Sequence, residues 1–220
     1  MDKGKIVSDI DACIVDMDGT LYFQGPLRRA MAVKLGLFYL THFFRIGELA
    51  ALKLYREIRE KEMFSGEDDF EGKQFEYVAD KCGIDRERVE KAVSHWMHEV
   101  PLSLISKNRD EKLLSFLREE MRKGVKVIVY SDYPVSEKLK ALEFSPDAGY
   151  YSADEIIGCM KPDPKGLINI LKIHGLDKDR VLFIGDRQEK DGECALNAGV
   201  RACILPRDRK KREAFYRSDL

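Results

Sequence analysis

At three places in this 220-residue sequence an apolar run stops and oxygen-bearing side chains follow it. Asp16 and Asp18, one residue apart, come directly after Cys13-Ile14-Val15 and precede Gly19 and Thr20. Ser131 and Asp132 close the β-branched run at 125–130, and Gly185-Asp186 closes the run at 181–184, with Asp191 five positions further on. A lysine, Lys161, stands between the last two, in the loop Gly158-Cys159-Met160-Lys161-Pro162. In an open parallel α/β sheet, ligands bind beyond the carboxyl ends of the strands. If the three runs are strands of one such sheet, all of these groups meet at one edge. None is specific alone: Asp16 and Asp18 describe an acidic turn as well as they describe a site.

Three or four carboxylates sharing one cleft repel one another by about 4 kcal/mol per pair at 4 Å and an effective dielectric near 20. A positive charge must sit among them. A hard dication fits an all-oxygen ligand set, and Mg²⁺ binds through one or two carboxylates together with substrate phosphate. Lys161 adds a second positive charge. A dication, a lysine, the Ser131 hydroxyl and turn N–H groups together suit phosphoryl transfer, where positioning and charge stabilisation do most of the work.

The elements that must hold these groups follow from periodicity. Ala12–Val15 does not alternate and reads as a strand buried on both faces. Gly25-Pro26 is expected to break the chain, and about seventy helical residues follow: 30–63 as two helices bent near Gly47, 70–81, and 85–99 with Asp85 as N-cap, stopped by Pro101. The α/β pattern then resumes with helices at 110–122, 135–142, 165–174 and 191–198. Strands are expected at 125–130, around Tyr150, at 181–184 and at 202–205, and the tail 207–220 reads as a charged helix or a frayed end. Alternating strands and helices imply right-handed crossovers and a parallel sheet. The expected architecture is α/β: a Rossmann-like three-layer core with a parallel sheet (1–22 and 104–220) and an inserted all-helical domain (23–103).

Asp16-Met17-Asp18-Gly19-Thr20 resembles the DxDGT signature of the haloacid dehalogenase superfamily. Ser131 at a strand end is similar to that superfamily's second motif, Lys161 to its third, and Gly185-Asp186-…-Asp191 to its GDxxxxD fourth motif, in the same order. The helical insert stands where the superfamily places a helical cap. The resemblance implies that Asp16 is a nucleophile forming an aspartyl-phosphate, and that Asp18 protonates the leaving oxygen and then deprotonates water. It implies Mg²⁺ on the Asp16 carboxylate, the Asp18 carbonyl and the Asp186 carboxylate, with Asp191 acting through metal-bound water or by orienting Lys161. Ser131, with the N–H groups of Gly19 and Asp132, would hold phosphate oxygens, with Thr20 and Lys161 beside them. Dehalogenases expel halide, need no proton at that step and generally lack an acid at the position of Asp18, so a phosphomonoester is the expected substrate. The alternatives are a sugar-phosphate mutase, which shares the constellation, and a catalytically silent binding module. Phosphonate-cleaving members use a cap lysine; Lys34 and Lys53 are placed for it, though helix lysines are usually solvated.

Composition narrows the partners. Thirty-eight Lys and Arg against 39 Asp and Glu leave a net charge of -1, without the basic excess of nucleic-acid binding. A small phosphorylated metabolite is the expected partner, and oligomeric state is left open. Met1-Asp2-Lys3-Gly4-Lys5 lacks a signal-peptide core, and the longest apolar stretch, 33–44, is too short to span a membrane. Five scattered cysteines without a CxxC pair read as reduced thiols of a cytoplasmic protein. His95 and His98, at i and i+3, could share a helix face as metal ligands, but surface polar residues are the plainer account. Arg28 and Arg29 either reach the site mouth or cover an exposed helix start. The run 35–44 is apolar nearly all round, and burial inside the protein is its expected fate, with a lining above the site as the alternative.

Overall fold

The computed structural model describes residues 9–218; the N-terminal stretch discussed above lies outside them. Five strands, β1 (Ala12–Val15), β2 (Lys126–Ser131), β3 (Ala148–Tyr151), β4 (Val181–Gly185) and β5 (Arg201–Ile204), form one parallel sheet in the order β3-β2-β1-β4-β5. β1 is central, and Val15 pairs with both Val129 and Ile184. The carboxyl ends of β1, β2 and β4 are therefore level.

Between β1 and β2 the chain is helical: α1 (Gln24–Thr41), a 3₁₀ turn at Phe43–Arg45, α2 (Ile46–Glu60), α3 (Phe70–Cys82), α4 (Arg86–Val93) continued by a wide π turn at Ser94–Glu99, and α5 (Leu102–Lys107). These helices have a core of their own around Met31, Leu52, Tyr55, Ile58, Val78, Val89, Val93 and Trp96. Gly25 and Pro26 do not break the chain; they lie in the first turn of α1, where a missing N–H costs nothing. Pro101 follows the end of the preceding helical turn at Glu99, as expected, and then opens α5, which carries the helical block on to Lys107. The chain enters and leaves the block side by side: Tyr22 and Arg109 form an antiparallel bridge, flanked by Phe23 N–H to Asn108 O (2.9 Å) and Asp110 N–H to Leu21 O (2.9 Å).

Then follow α6 (Glu111–Arg122), α7 (Ser136–Ala141), α8 (Lys165–His174), α9 (Glu193–Ala198) and α10 (Arg209–Ser218). Cys13, Val15, Val127, Val129, Leu182 and Ile184 face the cluster that includes Leu113, Leu114 and Leu117 of α6 and is flanked by Leu139 and Phe215. Ala12, Ile14, Ile128, Tyr130 and Phe183 face the cluster built on Leu167 and Ile170 of α8 and Cys194 and Ala195 of α9. Helices thus cover both faces of the sheet, which is why its strands read as unbroken apolar runs. None of the five cysteines is joined in a disulfide.

Of the two expectations for the tail, the described residues take the charged helix. α10 places Arg212, fully buried, against the β1 loop, where Nη2 donates to Gly19 O (2.8 Å) and Nη1 to Thr20 O (3.0 Å) and Asp110 Oδ2 (3.3 Å). The apolar run of the insert also departs from expectation. α1 turns Met31, Tyr39 and, in part, Leu27, Leu35 and Phe38 toward the helical core, while Leu37, Leu40, Phe43 and Phe44 remain exposed. One helix at the rim of a small bundle has only one stripe to bury.

Candidate active site

Asp16 is the first residue beyond β1, and its N–H continues the ladder to Ile184 O at 2.8 Å. The continued ladder fixes a buried carboxylate at the sheet edge: Oδ1 accepts from Lys161 Nζ at 2.6 Å and Oδ2 from Thr20 Oγ1 at 3.0 Å. Lys161, 2% exposed, also donates to Asp191 Oδ1 at 2.6 Å. The other oxygen of Asp191 accepts the N–H groups of Asp186 (3.2 Å) and Arg187 (3.0 Å), so Asp191 fixes both the lysine and the turn that presents Asp186.

Two glycines make this closeness possible. Gly19 has φ +101°, and a Cβ there would stand 2.6 Å from Asp186 Oδ2. A Cβ on Gly185 would stand 2.4 Å from the Asp191 Cβ. Both glycines are therefore spacing devices between acidic loops.

Ligand oxygens of Asp16, Asp186 and Asp191 lie within 4.8 Å of one another. Burial, then repulsion from Asp191, Asp186 and Asp18, pushes Asp16 well above the usual carboxylate range despite Lys161. Burial and Asp191 raise Asp186 as well. Lys161 stays firmly protonated, because Asp16, Asp191 and Asp132 outweigh the burial that would otherwise lower it. Asp186 Oδ2 accepts from Arg207 Nε at 3.0 Å, whereas its buried Oδ1 has no hydrogen-bond partner among the described residues. An orphaned buried carboxylate oxygen beside two further carboxylates fits a hard dication, which would satisfy the oxygen and offset the repulsion.

Asp18 behaves differently from its neighbour. Its carboxylate accepts from Lys138 Nζ of α7 at 2.6 and 2.7 Å, from Ser131 Oγ at 3.2 Å and from the Tyr22 hydroxyl. Burial would raise Asp18, but Lys138 and these hydroxyls hold it below the usual carboxylate range. In the protein alone these directions favour a proton on Asp16 over one on Asp18, the opposite bias from the one the two acids need when the ester bond breaks. The cause is Lys138, a buried cation that the sequence reading passed over. Ser131, expected to face phosphate, here donates to Asp18 and accepts from Tyr133 N–H (3.1 Å). The Asp132 carboxylate accepts from Lys161 N–H at 3.0 Å, tying the β2 end to the lysine loop.

The helical insert closes over this edge through the end of α2 and the loop after it. Arg59, 1% exposed, donates to the Asp132 carbonyl, to Ser152 Oγ (3.0 Å) and to Gln74 Oε1 (2.9 Å). Glu60 pairs with Arg187 (2.9 Å), Glu62 with Lys190, and Ser65 Oγ accepts from Met160 N–H (2.8 Å). Among the described residues His95 and His98 join no group of three metal-ligating side chains; His95 pairs with Glu99 at 3.2 Å. His98 is half-buried rather than a surface residue, and burial, with Lys138 nearby, pushes it down to about 4. Arg28 is exposed and bonds Gln24 of its own helix at 2.5 Å, and Lys34 and Lys53 are exposed too.

Residues 10–199 match the haloacid dehalogenase-like hydrolase family. The chain belongs to that family. The hydrolase has no match among curated proteins, but its fold is shared with solved structures. The 2-haloacid dehalogenase from Pseudomonas syringae pv. tomato DC3000 superposes with a TM-score of 0.62 at 18% identity, covering 89% of this chain and 86% of that one. YfnB from Bacillus subtilis, described as a HAD-hydrolase and bound to magnesium, gives 0.58 at 13% identity over 97% and 100%. CbbY from Rhodobacter sphaeroides, in complex with xylulose-(1,5)bisphosphate, gives 0.55 at 18% identity over 91% and 89%. At these identities the likeness concerns the fold of the hydrolase, and its substrate has to be argued from its own residues.

Proposed function

We propose that this hydrolase is a Mg²⁺-dependent phosphatase acting on a small phosphomonoester in the cytoplasm, with the helical insert as a cap over the site. One observation carries the reading: two carboxylates on one loop, Asp16 and Asp18, are held apart by different cations, Lys161 and Lys138. The alkoxide leaving from a phosphate ester needs a proton from a second acid, whereas a departing halide does not. The magnesium in YfnB and the phosphorylated ligand in CbbY favour the same reading.

The carboxylates of Asp16 and Asp186 and the carbonyl of Asp18 would hold the ion, with Asp191 fixing Lys161. The ion would supply charge that favours ionised Asp16 and neutralises phosphate oxygens. Asp16 attacks phosphorus, forming an O–P bond as the ester P–O bond breaks. Asp18, protonated at that stage, gives its proton to the departing oxygen. Its carboxylate then takes a proton from water as the water oxygen attacks phosphorus and the Asp16–phosphate bond breaks. Ser131, Thr20 and the Gly19 and Asp132 N–H groups line the place of the phosphate oxygens. An arriving phosphate dianion competes with Asp18 for Lys138, and losing that partner lets Asp18 rise and take up its proton.

Release of inorganic phosphate from an aryl phosphate, set against release of halide from a 2-haloacid, tests the reading. Phosphate release with Mg²⁺, lost on chelation, is expected; halide release without phosphatase activity overturns it.

A further inference from the structure

We propose that Arg212 is a positioning residue of this hydrolase: it sets the loop carrying Asp16 and Asp18 at its working distance from Asp186. α10 lies beyond residues 10–199, the stretch that matches the family. Arg209, Lys210 and Lys211 of this helix are exposed, whereas Arg212 is wholly buried. A buried guanidinium is tolerated only where its donors are met. Nε donates to Pro206 O (2.7 Å), Nη2 to Gly19 O (2.8 Å), and Nη1 to Thr20 O (3.0 Å) and Asp110 Oδ2 (3.3 Å). Three of these partners are main-chain carbonyls, and two of them belong to the loop after β1. A rigid planar fork on such partners fixes the orientation of peptides as well as balancing a charge.

The peptides held in this way adjoin the reacting groups. Thr20 Oγ1 donates to Asp16 Oδ2 at 3.0 Å, so holding the Thr20 carbonyl steadies the hydroxyl that orients Asp16. Gly19 lies between Arg212, bonded to its carbonyl, and Asp186, whose Oδ2 would stand 2.6 Å from a Cβ there. The Asp18 carbonyl, one peptide back, and the Asp186 carboxylate would hold the ion from different strands, and Mg²⁺ tolerates little change in their spacing. A shift of about 1 Å at Gly19 is enough to misplace both the ion and Asp16. The guanidinium also lies 5.0 Å from the centroid of the Phe23 ring, and the Tyr216 hydroxyl donates to Asp110 Oδ2 at 2.7 Å. Phe23 caps the start of α1 and Asp110 the start of α6, so one side chain ties the loop to both linkers of the insert. A residue that only fastened the tail would be satisfied by Pro206 and Asp110. The bonds to Gly19 and Thr20 are the part that reaches the site.

The proposal rests on the phosphatase reading, because Asp16 and the ion are where the positioning takes effect. Full-length Arg212→Lys keeps the charge and loses the fork. Calorimetric titration with Mg²⁺ should show binding weakened about tenfold, and kcat on an aryl phosphate should fall about 10- to 100-fold with KM changed far less. Arg212→Gln removes charge and fork together and should show losses at least as large, so either variant carries the test. Tyr216→Phe loosens the tail from Asp110 but leaves Gly19 and Thr20 held. It should lower the melting temperature while Mg²⁺ affinity and kcat stay within about twofold of wild type. Wild-type Mg²⁺ affinity and kcat in the Arg212 variants, or losses in Tyr216→Phe that match theirs, would overturn the proposal and leave the phosphatase reading standing. Wild type that neither binds Mg²⁺ nor releases phosphate would overturn that reading, and this proposal with it.

Discussion

Replacing Lys161 by methionine keeps the length of the side chain and removes the one ammonium wedged between Asp16 and Asp191. Both pairs are at 2.6 Å and all three side chains are almost wholly buried. Removing one partner of a buried ion pair costs about 3–5 kcal/mol, because the remaining charge stays desolvated. For a chain of this size that is a fall in Tm of about 6–20 °C. The loss should be greatest in chelator. There, carboxylate oxygens within 4.8 Å of one another face only their own repulsion, about 3 kcal/mol per ionised pair at an effective dielectric near 20. Adding Asp191→Asn to Lys161→Met removes one of the repelling charges, so the double variant should be more stable than the sum of the single losses by about 1–3 kcal/mol. Urea unfolding of wild type, both single variants and the double variant closes the cycle. Additive losses, or a Lys161→Met cost below about 1 kcal/mol in chelator, would refute the idea that Lys161 balances the acidic cluster.

Mg²⁺ should raise the melting temperature more at pH 7.5 than at pH 5.5, since protons and the ion compete for carboxylates whose affinity for protons is already raised. In chelator the sign inverts. On Asp16 and Asp186 the folded state binds protons that the unfolded chain has released, so differential scanning calorimetry should show the stability of wild type relative to Asp16→Asn/Asp186→Asn rising as pH falls from neutral toward about 4, while His98, held low, pulls both proteins the other way. Below that the gain ends, and Asp18, held low in the folded state, begins to lose its ion pair. Lys138→Met removes the main group holding Asp18 down, so the limb of the pH–rate profile that reports Asp18 should move to higher pH; an unmoved limb would detach Lys138 from catalysis. Gly19→Ala forces a side chain into the left-handed region and against Asp186, and should cost about 1–3 kcal/mol in unfolding free energy and about 100-fold in kcat/KM.

Much of this was legible in the sequence because its signals are of the kind that sequence carries well. Runs such as Val127-Ile128-Val129 are apolar without alternation because helices cover both faces of the sheet, and the acids that end them mark the functional edge. Lys138 was not legible, since a lysine in Ser136-Glu137-Lys138-Leu139-Lys140 looks like a solvated helix residue until the α7 geometry aims it at Asp18. Arg212, inside the strongly charged tail, gave no sign that it would brace the carbonyls of Gly19 and Thr20. Both are long cations buried by long-range contacts, and periodicity records only the local face. Pro26 misled for a related reason: a proline interrupts a helix interior but not a first turn, and the choice between the two depends on neighbours in space.

The central claim is that Asp16 becomes covalently phosphorylated during turnover. Rapid acid quench during hydrolysis of a substrate labelled in its phosphate, followed by peptide mapping, reads that bond directly. Label on the peptide carrying Asp16, appearing only with Mg²⁺ and absent from Asp16→Asn, is the predicted result. Full turnover with no labelled peptide, or undiminished turnover by Asp16→Asn, would contradict it.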